Sequence, residues 1–294
     1  MSGVRIWLMA ARLRTLPAAI APVLVGTALA GFQHIDHPLR LLAALLGAIF
    51  IQVGTNLSND YSDARRGADA EDRLGPVRVT AGGLVPPRQV LIATYVSFGL
   101  AILVGIYLIV VAGWLLLLIG VASIVAGVLY TGGPRPYGYE GLGEVFVFLF
   151  FGVVAVAGSY FVQVRHLDWE AFALSVPVGL LASAILVVNN VRDIDSDRRA
   201  GKRTLAVRLG RERTRVMFAV MLALAFVLAL VTWAFGPLGP WVALCWLAAP
   251  LAVSLIRTVA THTDGPTLNG ALARSGMLQL MFCVLLSVGL LLSR

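Results

Sequence analysis

Two short stretches of the 294-residue chain concentrate oxygen ligands. The first reads Asn56-Leu-Ser-Asn-Asp60-Tyr-Ser-Asp63 and the second Asn189-Asn-Val-Arg-Asp193-Ile-Asp-Ser-Asp197. On a helix, Asn189, Asp193 and Asp197 fall at i, i+4 and i+8, nearly on one face, and Asn56, Asp60 and Asp63 at i, i+4 and i+7 do the same. Carboxylates stacked in this way repel one another where water is scarce, so a positive charge belongs between them. A hard divalent cation fits. Mg²⁺ typically takes one or two carboxylates, keeps waters and completes its shell with phosphate oxygens of a substrate. No Cys or His cluster accompanies the acids, which argues against zinc. A single Asp at a helix end is ordinary interfacial solvation; two aligned triads are not.

Bases crowd the same stretches. Arg65, Arg66, Arg73 and Arg78 follow the first, and Arg192, Arg198, Arg199, Lys202 and Arg203 surround the second, Lys202 being the only lysine in the chain. Acids that hold a metal, with Lys and Arg neutralising the oxygens that the metal leaves free, suit a diphosphate ligand. A third polar stretch runs from Tyr130 to Glu144 (YTGGPRPYGYEGLGE), where Gly and Pro shape a turn. Its three tyrosines and Arg135 are candidates for lining an aromatic pocket or holding a carboxylate. His34, Asp36 and His37 are ligand types too, but they fall at the other end of the helices described next and are given no part in the site.

The elements that position these residues are membrane-spanning helices. The chain is 59% hydrophobic and only 13% charged, with a mean hydropathy of +0.88, too little charge to cover a water-soluble surface. A spanning helix needs about 20 mostly apolar residues. Nine stretches qualify within boundary error: 15–32, 40–56, 90–111, 114–130, 145–164, 170–190, 214–234, 240–261 and 272–292. They are apolar all round, unlike the short alternating segments of a transmembrane β-barrel. The expected fold is all-α: one polytopic domain over 1–294, with about nine helices in one bundle and polar loops at about 57–88, 131–144 and 191–213. Arg5, Arg12 and Arg14 interrupt the first stretch, so it does not read as a cleaved signal. Pro17 and Pro22 predict a kink or irregular start there. Cys245 and Cys283 fall inside spans without metal-like spacing and read as small buried hydrophobes.

Orientation follows from the basic residues. With nine spans and the N-terminus inside, all of the 23 Lys+Arg residues except Arg40, Arg165 and Arg294 lie on the inner side, as the positive-inside rule demands. The net charge of +8 is thereby accounted for without nucleic acid. The expectation is a multi-pass protein of the cell's inner (plasma) membrane, with its N-terminus and polar loops cytoplasmic. Asn56 and Asn189 lie four helices apart and each precedes an Asp by four residues. That spacing suggests two related bundles presenting their acids at the same end.

These residues resemble the UbiA superfamily of intramembrane aromatic prenyltransferases over nearly the whole chain. The stretches 56–63 and 130–144 and the long run NNVRDIDSDRRAGKRTLAVRLG from Asn189 to Gly210 look like the branch that acts on 1,4-dihydroxy-2-naphthoate. One departure from the wider family is that the last Asp of its first motif is replaced by Gly67, with Asp69 two residues on. The resemblance implies that Asn56, Asp60, Asp63, Asn189, Asp193 and Asp197 hold Mg²⁺ on a polyprenyl diphosphate. Arg78, Lys202 and Arg203 would stabilise the leaving diphosphate, with Asp60, Asp193 and Lys202 central to catalysis. Tyr130, Arg135 and Tyr137 would position the aromatic acid. Ionisation would give an allylic cation, which the ring attacks with loss of CO₂, yielding demethylmenaquinone on the menaquinone pathway. The substrates and the lipid bilayer are the partners implied; oligomeric state is left open.

Other readings remain open in the sequence. Benzoate- or homogentisate-type acceptors would use the same donor chemistry. A transporter of an anionic metabolite would also carry intramembrane charge, although here the acids sit at one face and none interrupts the centre of a span. A phosphatidyl-group transferase would keep both acidic sets in one short stretch, whereas these lie four helices apart.

Overall fold

The computed structural model describes residues 3–67, 74–75 and 77–294; Asp69 and Arg73 lie outside the described residues. A short helix α1 (Gly3–Ala11) leads into α2 (Leu16–Phe32), and α3 (Pro38–Arg65), α4 (Pro87–Ala112) and α5 (Leu115–Leu129) follow. The chain continues with α6 (Gly143–Val164), α7 (Trp169–Arg199), α8 (Arg211–Ala234), α9 (Pro240–Thr261) and α10 (Gly265–Leu292). Among the described residues, eight helical runs are long and apolar enough to cross a membrane, and α5 is a shorter apolar helix. At 1.5 Å per residue its fifteen residues span about 22 Å, short of a hydrocarbon core of about 30 Å. The nine expected stretches all appear, in an all-α multi-pass membrane fold.

Two boundaries extend further than the apolar pattern suggested. Helix α3 runs on to Arg65 and α7 to Arg199, so each acidic stretch is the last turns of a helix rather than the start of a loop. Once a helix is propagating, each further residue adds a hydrogen bond without a new nucleus. The irregular start expected from the prolines is present as well. Arg12 adopts a left-handed conformation (φ 52), a single 3-10 turn Leu13–Thr15 follows, and Pro17 sits in the first turn of α2, where its missing N–H costs nothing.

The main apolar core joins α2, α6, α7, α8, α9 and α10. Small residues let these backbones approach closely, as in membrane bundles generally. A Cβ on Gly26 of α2 would lie 2.2 Å from the Val156 carbonyl of α6, and one on Gly152 would lie 2.6 Å from the Gly179 Cα of α7. Cys245 and Cys283 are buried in this core as free thiols, as expected. Helices α3, α4 and α5 form a separate wall, and a smaller cluster of Ala10, Leu57, Val79, Val85 and Val90 fastens α1 and the segment before α4 to α3.

At the end away from the acidic motifs, polar side chains tie off the loops. Asp168 accepts from Gln33 Nε2 at 2.8 Å and from the Tyr160 hydroxyl at 2.5 Å. Those two donors, the hydroxyl first, hold its carboxyl below the usual carboxylate range. Arg40 donates to the carbonyls of Val162 and Gln163, and Arg294 pairs with Asp36 at 2.9 Å.

Candidate active site

Between the α3–α5 wall and the main core lies a cavity of about 680 Å³. Its polar end is built from the last turns of α3 and α7, the α1–α2 junction and the turn after α5. The rest is apolar and runs along α2, α3, α4, α5 and α6. The two acidic stretches, 133 residues apart in sequence, thus meet at one mouth.

From α3, Asn56, Asn59 and Asp63 line the cavity, whereas Asp60 does not. At about 100° per residue, Asn59 and Asp63 lie to one side of Asn56 around the helix and Asp60 about 40° to the other. Asp60 is buried and turned toward the segment before α4, where its carboxylate accepts the backbone N–H groups of Val79 at 3.2 Å and Thr80 at 2.9 Å. Asp63 faces inward, pairing with Arg78 Nη2 at 3.2 Å and accepting the Tyr139 hydroxyl. Asn56 Nδ2 donates to the Ala11 carbonyl and to Thr15 Oγ1, at 3.0 and 3.1 Å. Asn59 Oδ1 accepts from Thr131 Oγ1 at 2.9 Å.

From α7, Asn189, Asn190, Asp193, Ser196 and Asp197 line the opposite wall. Arg192 organises them. Its guanidinium is 2% exposed and donates to Asp193 Oδ1 at 2.8 Å, Asn189 Oδ1 at 2.8 Å and Asn269 Oδ1 of α10 at 2.6 Å. A planar fork spent on Asn189, Asn269 and both carboxylate oxygens of Asp193 fixes those side chains, so Arg192 positions the motif. Asn269 in turn donates to the Leu74 carbonyl at 2.9 Å. Asn190 donates to the buried Glu144 Oε1 at 2.9 Å. Lys202 lies 3.9 Å from Asp197 Oδ1 and 4.8 Å from the centre of the Tyr139 ring, over its face.

The stretch 130–144 supplies an aromatic side wall. Tyr130 meets Tyr137 edge-on at 5.4 Å, and Tyr137 stacks on Phe146 at 4.0 Å. The Tyr137 hydroxyl donates to the Ala126 carbonyl at 2.8 Å, and burial pushes that phenol up, keeping it protonated. Phe148–Val154 within α6 winds as a π-helix, a widening often found at functional sites. It carries Phe150 and Phe151 onto the cavity wall.

Of the residues expected from sequence, Asn56, Asp63, Arg78, Tyr130, Tyr137, Asn189, Asp193, Asp197 and Lys202 line this one cavity. Asp60, Arg135 and Arg203 do not. Arg135 and Arg203 are exposed; Arg203 contributes its backbone, donating to the Tyr139 carbonyl at 2.8 Å. Sequence reasoning missed Arg12 and Thr15, which enter through the left-handed turn, and gave no specific part to Asn59 or Tyr139. Asn59 sits inside the first motif and could have been found there; no local signal announces Arg12.

The donor set fits Mg²⁺: Asn56, Asn59, Asp63, Asn189, Asp193 and Asp197 offer only hard oxygens. Among the described residues no three His, Cys, Asp or Glu side chains come together in a group that could by itself hold a metal ion. That is compatible with Mg²⁺, which relies on one or two carboxylates plus water and substrate phosphate.

The profile of the UbiA prenyltransferase family matches residues 19–292. A 1,4-dihydroxy-2-naphthoate octaprenyltransferase of Mycobacterium tuberculosis (strain ATCC 25618 / H37Rv) is 43% identical over 282 residues, covering 95% of this chain and 94% of its own. A protein of the same name from Escherichia coli (strain K12) is 39% identical over 299 residues, covering 100% and 97%. The fold is shared with a UbiA homolog from Aeropyrum pernix K1, at TM-score 0.70 and 14% identity, covering 93% and 97% of the two chains. It is also shared with a UbiA homolog from Archaeoglobus fulgidus solved bound to DMAPP and Mg²⁺, at TM-score 0.65 and 14% identity, covering 96% and 99%.

Proposed function

The chain belongs to the UbiA prenyltransferase family, and we propose that it transfers a polyprenyl group from polyprenyl diphosphate to 1,4-dihydroxy-2-naphthoate. Diphosphate and CO₂ leave, and the demethylmenaquinone skeleton forms in its quinol state, a step of menaquinone biosynthesis. The observation that carries the reading is the single cavity with two acidic helix ends and cations at one pole and an apolar bore behind them. Curated relatives bearing the naphthoate name over nearly their full length direct the choice of acceptor.

Asp63, Asp193 and Asp197, with Asn56, Asn59 and Asn189, are the residues that would hold Mg²⁺. Bound there, the ion neutralises charge on the diphosphate and makes it a better leaving group. Arg78 and Lys202, both on the cavity wall, bind the phosphate oxygens that remain. Arg203 could join them only by leaving its exposed position. Asp60 acts by holding the Val79–Thr80 backbone and so aiming the adjacent Arg78; to ligate metal it would have to release those two N–H groups. Tyr130, Tyr137 and Phe146 stack the naphthoate ring beside the reacting carbon. Arg12, inside the cavity, is better placed than the exposed Arg135 to pair with the acceptor's carboxylate. The apolar walls exclude water, so an allylic cation is captured by the ring rather than hydrolysed.

The polar pole faces the cytoplasm of the cell's inner membrane in this reading, supported by the distribution of Lys and Arg. The deciding experiment uses purified protein with 1,4-dihydroxy-2-naphthoate, a polyprenyl diphosphate and Mg²⁺, against a matched sample in EDTA. Prenylated, decarboxylated naphthoquinol forming only with metal is the expected result. Prenylation of 4-hydroxybenzoate or homogentisate in its place would move the acceptor, and no product from any acceptor would end the reading.

A further inference from the structure

We propose that Asn269 of α10, which does not line the cavity, is a positioning residue for the donor's diphosphate. Its amide joins Arg192, behind the second acidic motif, to the segment that carries Arg78 toward the first. The inference rests on the prenyl-transfer reading above and adds a residue that lies in neither motif.

Three parts of the chain meet at this side chain. Asn269 Oδ1 accepts from Arg192 Nη1 at 2.6 Å, and Asn269 Nδ2 donates to the Leu74 carbonyl at 2.9 Å, 77 and 195 residues away in sequence. The partners fix which way the amide points. A guanidinium offers only donors and a carbonyl only acceptor lone pairs, so the oxygen faces Arg192 and the nitrogen faces Leu74. A carboxylate in its place would keep the first contact and set an oxygen against the Leu74 carbonyl. Gly265, one turn earlier on the same face of α10, makes room for Leu74. A Cβ on that glycine would lie 3.1 Å from Leu74 Cβ and 3.3 Å from its carbonyl oxygen.

Each partner of Asn269 leads to the cavity. Leu74 stands four residues before Arg78, and four residues reach at most about 14 Å. Beyond Arg78, Val79 and Thr80 are held by Asp60 of α3. The segment that bears Arg78 is therefore fastened to α3 by Asp60 and to α10 by Asn269, and freeing Leu74 loosens the base from which Arg78 meets Asp63. On the other side, Arg192 holds Asn189 and both carboxylate oxygens of Asp193. A guanidinium that loses Asn269 turns more fully onto Asp193 and competes with a cation for that carboxylate.

The test is Asn269→Leu, with Asn269→Asp as the same-shaped variant that keeps only the Arg192 contact and Gly270→Ala as control. Gly270 is exposed, and a Cβ there would meet nothing within 4 Å. Each protein is purified in detergent and checked for monodispersity. Calorimetry then gives Kd for geranyl diphosphate in Mg²⁺ and the half-saturating Mg²⁺ at fixed geranyl diphosphate, and steady-state kinetics give KM for the naphthoate. Asn269→Leu should weaken geranyl diphosphate by about tenfold and raise the half-saturating Mg²⁺ by about threefold or more, with KM for the naphthoate within about twofold of wild type. Asn269→Asp should weaken the diphosphate without raising the half-saturating Mg²⁺, and Gly270→Ala should match wild type. Asn269→Leu combined with Arg78→Ala should weaken binding by less than the product of the two.

Wild-type diphosphate affinity in either Asn269 variant, equal losses for diphosphate and naphthoate, or a fully multiplicative double variant would overturn the proposal. Asn269→Asp decides it alone if the leucine variant fails to fold. A wild-type protein that binds no geranyl diphosphate in Mg²⁺ would instead defeat the prenyl-transfer reading itself.

Discussion

The Asp60 carboxylate accepts the Thr80 N–H at 2.9 Å across the gap between α3 and the segment leading into α4. Two residues before Thr80, Arg78 reaches back to Asp63 at 3.2 Å. The two acids of one helix therefore divide the work: Asp60 holds the backbone that carries Arg78, and Asp63 meets its side chain inside the cavity. Hydrogen bonds to charged groups are worth about 1.5–3 kcal/mol, so Arg78→Ala should raise KM for the polyprenyl diphosphate by roughly tenfold to hundredfold. Asp60→Asn should give part of the same rise. The double variant should be no worse than Arg78→Ala alone, because the two act as one unit. Fully multiplicative losses in steady-state kinetics would show that Asp60 acts on the substrate independently.

Asp63→Asn and Asp193→Asn each replace a charged oxygen at the mouth by a neutral one of nearly the same shape. Turnover should fall by at least about a hundredfold, the scale of removing an electrostatic group from a preorganised site, while the protein stays inserted and monodisperse. Raising Mg²⁺ should recover part of the loss. Wild-type rates in either variant, measured in membranes, would remove that residue from the metal assignment.

Arg12 and Arg135 give opposite expectations for the acceptor. Arg12→Ala should raise KM for the naphthoate by about tenfold or more, since a buried carboxylate loses its ion partner. Arg135→Ala, altering an exposed side chain, should leave both constants near wild type. The reverse pattern would return the role to Arg135.

The far end of the bundle should be a stability element sensitive to acid. The folded-state pKa of Asp168 is lowered, chiefly by the Tyr160 hydroxyl and then by Gln33. Its stabilisation is therefore present above the ordinary carboxylate pKa and is lost as pH falls through the lower folded value. Asp168→Asn should lower Tm at neutral pH, and its gap to wild type should narrow as the pH drops below the ordinary carboxylate range. A gap independent of pH would mean that shape, not charge, holds the contact.

Arg40→Ala should separate stability from catalysis. It frees two carbonyls, of Val162 and Gln163, at the end opposite the acids. A Tm drop with turnover retained at permissive temperature is the expected outcome; lost turnover in folded protein would tie the far end to the chemistry.

The nine helices and the meeting of the two acidic stretches at one pole were legible in the sequence, but not every helix end: α3 and α7 run on to Arg65 and Arg199, past their apolar stretches, and α10 begins at Gly265, before its own. Apolar runs of spanning length, a basic excess on alternate loops and the fixed rise and rotation of a helix are properties of neighbouring residues, and they need no knowledge of the fold. The same rotation placed Asn56, Asp60 and Asp63 near one face, but a face is a sector of a circle. Which edge of that sector meets the cavity was decided by the packing of α3 against α1 and the segment around Val79. That packing turns Asp60 away and brings Asn59 in. Arg12 entered through a left-handed turn that no local propensity announces, and Arg192 was drawn onto Asn189, Asp193 and Asn269 because a buried guanidinium must find acceptors.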